Sequence, residues 1–207
     1  NLPMGEWLSF QDGVAERHTF FRLDFTSNIQ IESEADALEA IRTTLSQSVS
    51  LRLRSDVEVG VYLSGGIDSA IVASLAQTFS SHALATFSVT FENEEFDESI
   101  EQRLVAEQLG CRHHARHIRY RDIVENCPEA IYHAEIPAFR SAFIPMFLLS
   151  KLTRDEGIKV VLSGEGADEA FLGYDLFKET LLREGWDSLS ETVRSERLKR
   201  FYPHLSH

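Results

Sequence analysis

VGVYLSGGIDSAIVASLAQTF, residues 59–79, reads as a strand, a glycine turn and a helix in immediate succession. The apolar run ends at Leu63, breaks at Ser64-Gly65-Gly66, and resumes as a helix from about Ile67 to Phe79. No GxxxxGK[ST] stretch occurs in the chain, so this is not a Walker A loop. Without that lysine, the turn would hold an anion by backbone N–H groups, by the Ser64 and Ser69 hydroxyls, and by the positive end of the helix. Gly65 and Gly66 lack Cβ, which permits unusual backbone angles and close approach of a ligand. Asp68 adds negative charge where the anion would sit. A Mg2+ ion resolves that conflict, because it takes carboxylate and phosphate oxygens together. The plainer alternative is a strand-to-helix turn with Asp68 or Ser69 as N-cap.

The pattern recurs in GIKVVLSGEGADEAFLGY, residues 157–174. Ile158 to Leu162 read as a buried strand. Ser163 to Glu169 then read as a glycine turn carrying three carboxylates, Glu165, Asp168 and Glu169. Acids gathered at the end of a strand repel one another unless a cation or a pKa shift relieves them. A solvated acidic loop is the competing explanation.

Strands at about 57–63, 84–91, 113–118 and 158–163 alternate with helices near 68–79, 97–109, 120–133 and 143–155. Such alternation predicts an α/β fold: a parallel sheet covered by helices on both faces. Open sheets of this kind bind ligands beyond the C-terminal ends of their strands, where both glycine loops fall. Ahead of them, Ala35, Leu38, Ile41, Leu45, Val49 and Leu53 recur at helical spacing, predicting a helix from Ser33, its N-cap, to about Arg54. Residues 1–30 read as irregular or β, and Trp186 to Arg200 as helix.

SGGIDS, then SGEGADE about a hundred residues later with FLGY behind it, resembles the synthetase domain of glutamine-dependent asparagine synthetases. SGGIDS is similar to the PP-loop of ATP pyrophosphatases, and alone it is shared with GMP, NAD and argininosuccinate synthetase-like enzymes. SGEGADE narrows the resemblance to asparagine synthetases and relatives such as β-lactam synthetases and lasso-peptide cyclases. LATFSVTFEN (84–93), FDESIEQRLVAEQLGCRHH (96–114) and EIPAFRSAFIPMFLLSKL (135–152) extend it over nearly the whole chain. The opening, residues 1–32, resembles the end of a glutaminase domain and its linker, with the synthetase domain over 33–207.

The resemblance implies the PP-loop ATP pyrophosphatase fold, with ATP and Mg2+ as cofactors and aspartate and ammonia as partners. Aspartate's side-chain carboxylate would attack the α-phosphorus, expel pyrophosphate and form β-aspartyl-AMP, which ammonia then converts to asparagine. By that resemblance Ser64, Gly65, Gly66, Asp68 and Ser69 hold pyrophosphate. Asp68 and Asp168 contact Mg2+. Leu63 and Val89 contact the nucleotide, and Ser163 and Gly164 its AMP portion. Glu165 matches the catalytic glutamate that would help deprotonate ammonia. Arg140 and Glu169 are weaker candidates for gripping the α-carboxylate and α-amino group of aspartate, with a structural ion pair the alternative for Arg140.

Two departures stand out. The family's glutaminase half uses an N-terminal cysteine, whereas position 1 is Asn and the two cysteines are Cys111 and Cys127. The family's catalytic lysine lies well downstream of SGEGADE, and nothing in the sequence supports Lys178 as its substitute. The expectation is therefore a fragment that binds MgATP with little synthetase turnover.

A net charge of −13 argues against nucleic acid as a partner, since phosphate backbones require a basic surface. No apolar run approaches a membrane span, and no signal peptide opens the sequence, so a cytoplasmic protein is expected. A homodimer is compatible with the sequence. Glu92 to Glu101 reads as a solvated acidic loop and helix start, with a minor metal contact the other option. His113, His114 and His117 read as ordinary strand and surface residues, because no acid or cysteine completes a metal set nearby. Besides the asparagine synthetase reading, three others stand: a related carboxylate-adenylating ligase, a non-catalytic nucleotide-binding module, and a structural interaction protein.

Overall fold

The computed structural model describes residues 2–24, 31–183 and 185–198. The chain divides into two units, residues 1–43 and 44–207. In the first, strands β1 (Glu6–Gln11) and β2 (Val14–Thr19) form an antiparallel hairpin. Asp12 and Gly13 turn it, both with positive φ (52° and 80°), as a two-residue hairpin turn requires. Helix α1 (Glu34–Arg52) follows. Ser33 caps it as expected, its Oγ accepting the Asp36 N–H at 3.2 Å.

The second unit is built on a four-stranded parallel sheet. Its elements run β3 (Val59–Tyr62), α2 (Ile67–Phe79), β4 (Ala85–Phe91), α3 (Ser99–Leu109), β5 (Arg112–Ile118), α4 (Tyr120–Ala134), α5 (Phe143–Asp155) and β6 (Val160–Leu162). The expected strands and helices are all present, with ends shifted by at most two residues. Strand order is β5-β4-β3-β6, every pairing parallel. Strands β3, β4 and β6 are mainly apolar because helices cover both faces, whereas the edge strand β5 is rich in Arg and His. On one face Val59, Val61 and Leu63 pack with Ala73 and Ala76 of α2 and Ala106 of α3. On the other, Ala85 and Phe87 pack with Leu149 of α5 and Ile158. Phe87 and Val61 are wholly buried, each stabilising the fold by roughly 1.5–3 kcal/mol.

The chain steps outward from β3 to β4 to β5, then returns to place β6 on the other side of β3. That reversal opens a crevice between the C-terminal ends of β3 and β6. Val61 pairs with Leu162, so the two glycine loops leave the sheet side by side.

The second loop departs from expectation. It is not one turn through Glu169: helix α6 (Ala167–Phe171) starts within it, after Gly166 at φ +91°. Asp168 and Glu169 therefore stand in the first turn of a helix. Helix α7 (Asp175–Arg183) follows. The predicted helix from Trp186 is divided, with a 3-10 turn at Trp186–Ser188 and helix α8 at Glu191–Leu198; its last expected residues lie outside those described. Among the described residues no helix is long and apolar enough to cross a membrane.

Helix α4 carries a capping box between Arg119 and Asp122. The Arg119 guanidinium first, and its backbone N–H second, lower the Asp122 carboxyl from 3.8 to about 2. A depressed folded value means that the carboxylate contributes stability above the ordinary carboxyl range and loses it as pH falls toward 2. Asp122→Asn should thus remove one titration from the acid limb of unfolding between about pH 4 and pH 2, followed by circular dichroism.

Candidate active site

The crevice is a cleft of about 340 Å³. Its floor is the first glycine loop, which is braced from within. Ser64 Oγ accepts the Gly66 N–H at 3.1 Å and lies 2.9 Å from Ser69 Oγ. Ser69 Oγ accepts the Ser64 N–H at 3.0 Å and reaches the Gly66 carbonyl at 3.0 Å. The Ser69 hydroxyl, buried, thus holds the loop's shape. No side chain caps α2, so neither Asp68 nor Ser69 is an N-cap; the cap position is Gly66. The helix presents an uncapped N-terminus to the cleft, the arrangement that favours an anion.

The loop glycines are not there for unusual angles. Gly66 has φ −79°, and Gly65 is not among the positive-φ residues. Space explains Gly65: a Cβ there would lie 2.8 Å from Glu98 Cβ. Close approach explains Gly164 too, where a Cβ would meet Ser69 N at 2.8 Å and Asp68 C at 3.0 Å. The two loops touch through backbone at that point.

Leu63, Ser64, Gly66, Asp68, Ser69 and Val89 line the cleft from β3, its loop and β4. Ser163, Gly164, Glu165, Asp168 and Glu169 line it from the second loop and α6. Leu63 is fixed from two sides, its N–H donating to Phe87 O at 2.9 Å and its carbonyl accepting the Ser88 hydroxyl. The Glu169 carboxylate accepts the Tyr174 hydroxyl at 2.8 Å, which pushes the Tyr174 phenol above its ordinary value. Arg140 is exposed on the connection between α4 and α5, does not line the cleft, and joins no ion pair among the described residues. Lys178 is paired with Asp175 at 3.1 Å, also away from the cleft.

Charge is the cleft's most distinctive property. Asp68, Glu98, Glu165, Asp168 and Glu169 all line it, and none of its lining residues is Lys, Arg or His. Among the described residues no group of three His, Cys, Asp or Glu side chains could hold a metal alone. Mg2+ fits such a site nonetheless, because it binds through one or two carboxylates with the remaining oxygens from phosphate and water.

A family model described as asparagine synthase matches residues 40–207. The chain belongs to the asparagine synthase family. It is 37% identical over 168 residues to a putative glutamine-hydrolysing asparagine synthetase of Mycobacterium bovis, covering 81% of this chain and 26% of that protein. It is 36% identical over 180 residues to glutamine-hydrolysing asparagine synthetase 1 of Bacillus subtilis, covering 86% and 28%. Amidase chyE of Penicillium rubens is 31% identical over 218 residues, covering 95% and 32%. The chain thus spans about a quarter to a third of the length of these relatives.

Two cleft residues were not singled out in the sequence. Glu98, read as part of a solvated acidic run, has its carboxylate on the Gly65 N–H at 2.9 Å. Gln102 is buried beneath the end of β4. Glu98 carried only the signal of its acidic run, with a minor metal contact as the other option, and Gln102 none beyond helical spacing on α3. His113 and His117 share a face of β5, where they meet Thr86 and Thr90 hydroxyls at 3.0 and 3.1 Å.

Proposed function

We propose that this cleft binds MgATP and serves the adenylation of a carboxylate, aspartate first, for attack by ammonia. The reading rests above all on one observation: two strand–glycine–helix loops meet at a sheet reversal around a cleft rich in carboxylates and free of cationic side chains. Family membership supplies the chemistry. Mg2+, taken up with the nucleotide and held by Asp68 and Asp168, would neutralise phosphate charge.

This chain's residues divide the work. The uncapped N-terminus of α2 holds the β- and γ-phosphates, above a loop kept in shape by the Ser64–Ser69 brace. Leu63, Val89, Ser163 and Gly164 bound the AMP portion. The substrate carboxylate oxygen attacks the α-phosphorus, the bond to the bridging oxygen breaks, and pyrophosphate leaves from the first loop. Ammonia then attacks the acyl carbon of β-aspartyl-AMP, AMP departs, and Glu165 takes the proton released by the nitrogen. Glu169, already oriented by Tyr174, is placed to receive the α-amino group of aspartate. Arg140 would reach the α-carboxylate only if the connection carrying it folds over the cleft.

The amidase-named relative favours a second reading, in which the activated acid is not aspartate. One assay separates the two: exchange of labelled pyrophosphate into ATP, run with aspartate and with a panel of other carboxylates. Slow exchange dependent on aspartate, in line with the low turnover expected from the sequence, is the expected outcome, and it is lost in Asp68→Ala. Exchange with another acid alone would establish the second reading. Saturable MgATP binding by calorimetry without exchange would leave a nucleotide-binding module.

A further inference from the structure

Gln102 occupies a core-facing position on α3, 4% exposed, one turn ahead of Ala106. An apolar side chain would fill that place without burying a carboxamide. Its Nε2 donates to the Val89 carbonyl at 3.1 Å, and the side chain also reaches the wall of the cleft. Its Oε1 is buried with no protein partner. Behind it lies a polar cavity of about 240 Å³, lined by Gln102, Thr90, Ser99, Arg103, His113 and Ala115. His113 Nε2, on that cavity, is likewise buried and unpartnered, while its Nδ1 meets Thr86 Oγ1 at 3.0 Å. Both side chains line that recess, and neither buried atom has a protein partner among the described residues.

We propose that Gln102 is a positioning residue for the nucleoside half of the ligand: it anchors the Val89 carbonyl from below. The inference rests on the reading of the cleft as a nucleotide site. A buried carboxamide half-satisfied by protein costs stability, so the residue is held at that cost for the one bond its Nε2 makes. What the residue gives in return is a fixed peptide at the end of β4, beside the base and sugar. The phosphate half has separate supports, the Ser64–Ser69 brace, the Gly164 contact and the Glu98 carboxylate on the Gly65 N–H, and none of them uses the Gln102 side chain.

The test is calorimetric titration of the chain with MgATP and with magnesium tripolyphosphate, which carries the phosphates but no nucleoside. Gln102→Met, similar in length but without the donor, should weaken MgATP by roughly three- to tenfold, the worth of one neutral hydrogen bond. Tripolyphosphate affinity should stay within about twofold, below the worth of such a bond. Asp68→Ala should weaken both ligands. Equal losses for both ligands in Gln102→Met, or no loss of MgATP affinity, would overturn the assignment. Gln102→Leu, which removes the donor and adds no charge, gives the same comparison if the methionine variant does not fold. Unmodified protein that binds tripolyphosphate with no gain from the nucleoside would remove the nucleotide reading and this one together, whereas binding of neither ligand would remove the cleft itself as a polyphosphate site.

Discussion

Chelating divalent cations with EDTA should abolish ATP binding, lowering affinity by at least about a hundredfold in calorimetry at constant ionic strength. Five carboxylates line the cleft without one cationic side chain among the lining residues. Free ATP brings its own negative charges into that field. At an effective dielectric of about 20, two like charges about 4 Å apart repel by about 4 kcal/mol, more than the N–H groups of a single loop can offset. Mg2+ reverses the sign of the local interaction, since carboxylate and phosphate become ligands of one ion. Asp68→Ala and Asp168→Ala should each weaken MgATP by about tenfold or more, because each removes a charge-assisted contact. The uncapped helix N-terminus would remain in both variants, so residual weak binding of MgATP is expected. ATP affinity that survives chelation unchanged would mean that the carboxylates face away from the phosphates and that the metal assignment is mistaken.

The parallel sheet was legible because β3, β4 and β6 are short, mainly apolar runs closed by turns, and because helices of ordinary length separate the strands. Both loops were legible for the same reason: Ser-Gly-Gly and Ser-Gly-Glu-Gly interrupt strands that would otherwise continue. The grounds for the first pair of glycines were not. Sequence suggests conformational freedom, but Gly65 is small because Glu98 packs on it, a contact across 33 residues created by the β3–β4 neighbourhood. The positive φ belongs to Gly166 instead, where the chain flips into α6. A five-residue helix is too short for periodicity to reveal, so Asp168 and Glu169 read as turn residues. Asp12-Gly13 is a hairpin signal that residues 1–30 did carry, although the flanking strands are largely exposed and alternate only weakly. Gln102 escaped notice because a polar residue on an amphipathic helix is ordinarily solvated. Only the packing of α3 under β4 shows that this one is buried.

Gly164→Ala should disable the site more thoroughly than its one added methyl group suggests. The new Cβ would stand 2.8 Å from Ser69 N and 3.0 Å from Asp68 C, closer than side chains approach backbone. A side chain in the way could rotate; these atoms are the first turn of α2 and cannot move without it. Either the second loop retreats or the helix shifts, and both motions separate Asp68 from Asp168. Overpacking of this kind costs typically 1–3 kcal/mol, which for a chain of this size lowers Tm by several degrees at least. Gly66→Ala makes the contrast, since its φ is −79° and its Cβ would meet only Ser64 Oγ, at 3.2 Å. Ser64 Oγ has to give by only a few tenths of an ångström, within reach of its bonds to Gly66 N–H and Ser69, so Gly66→Ala should shift Tm less, whatever it does to binding. Differential scanning calorimetry of the two variants, followed by MgATP titration of Gly164→Ala, tests the claim. Should Gly164→Ala retain both the Tm and the affinity of the unmodified chain, the loops do not touch as described, and the two halves of the cleft would have to be joined by the ligand alone.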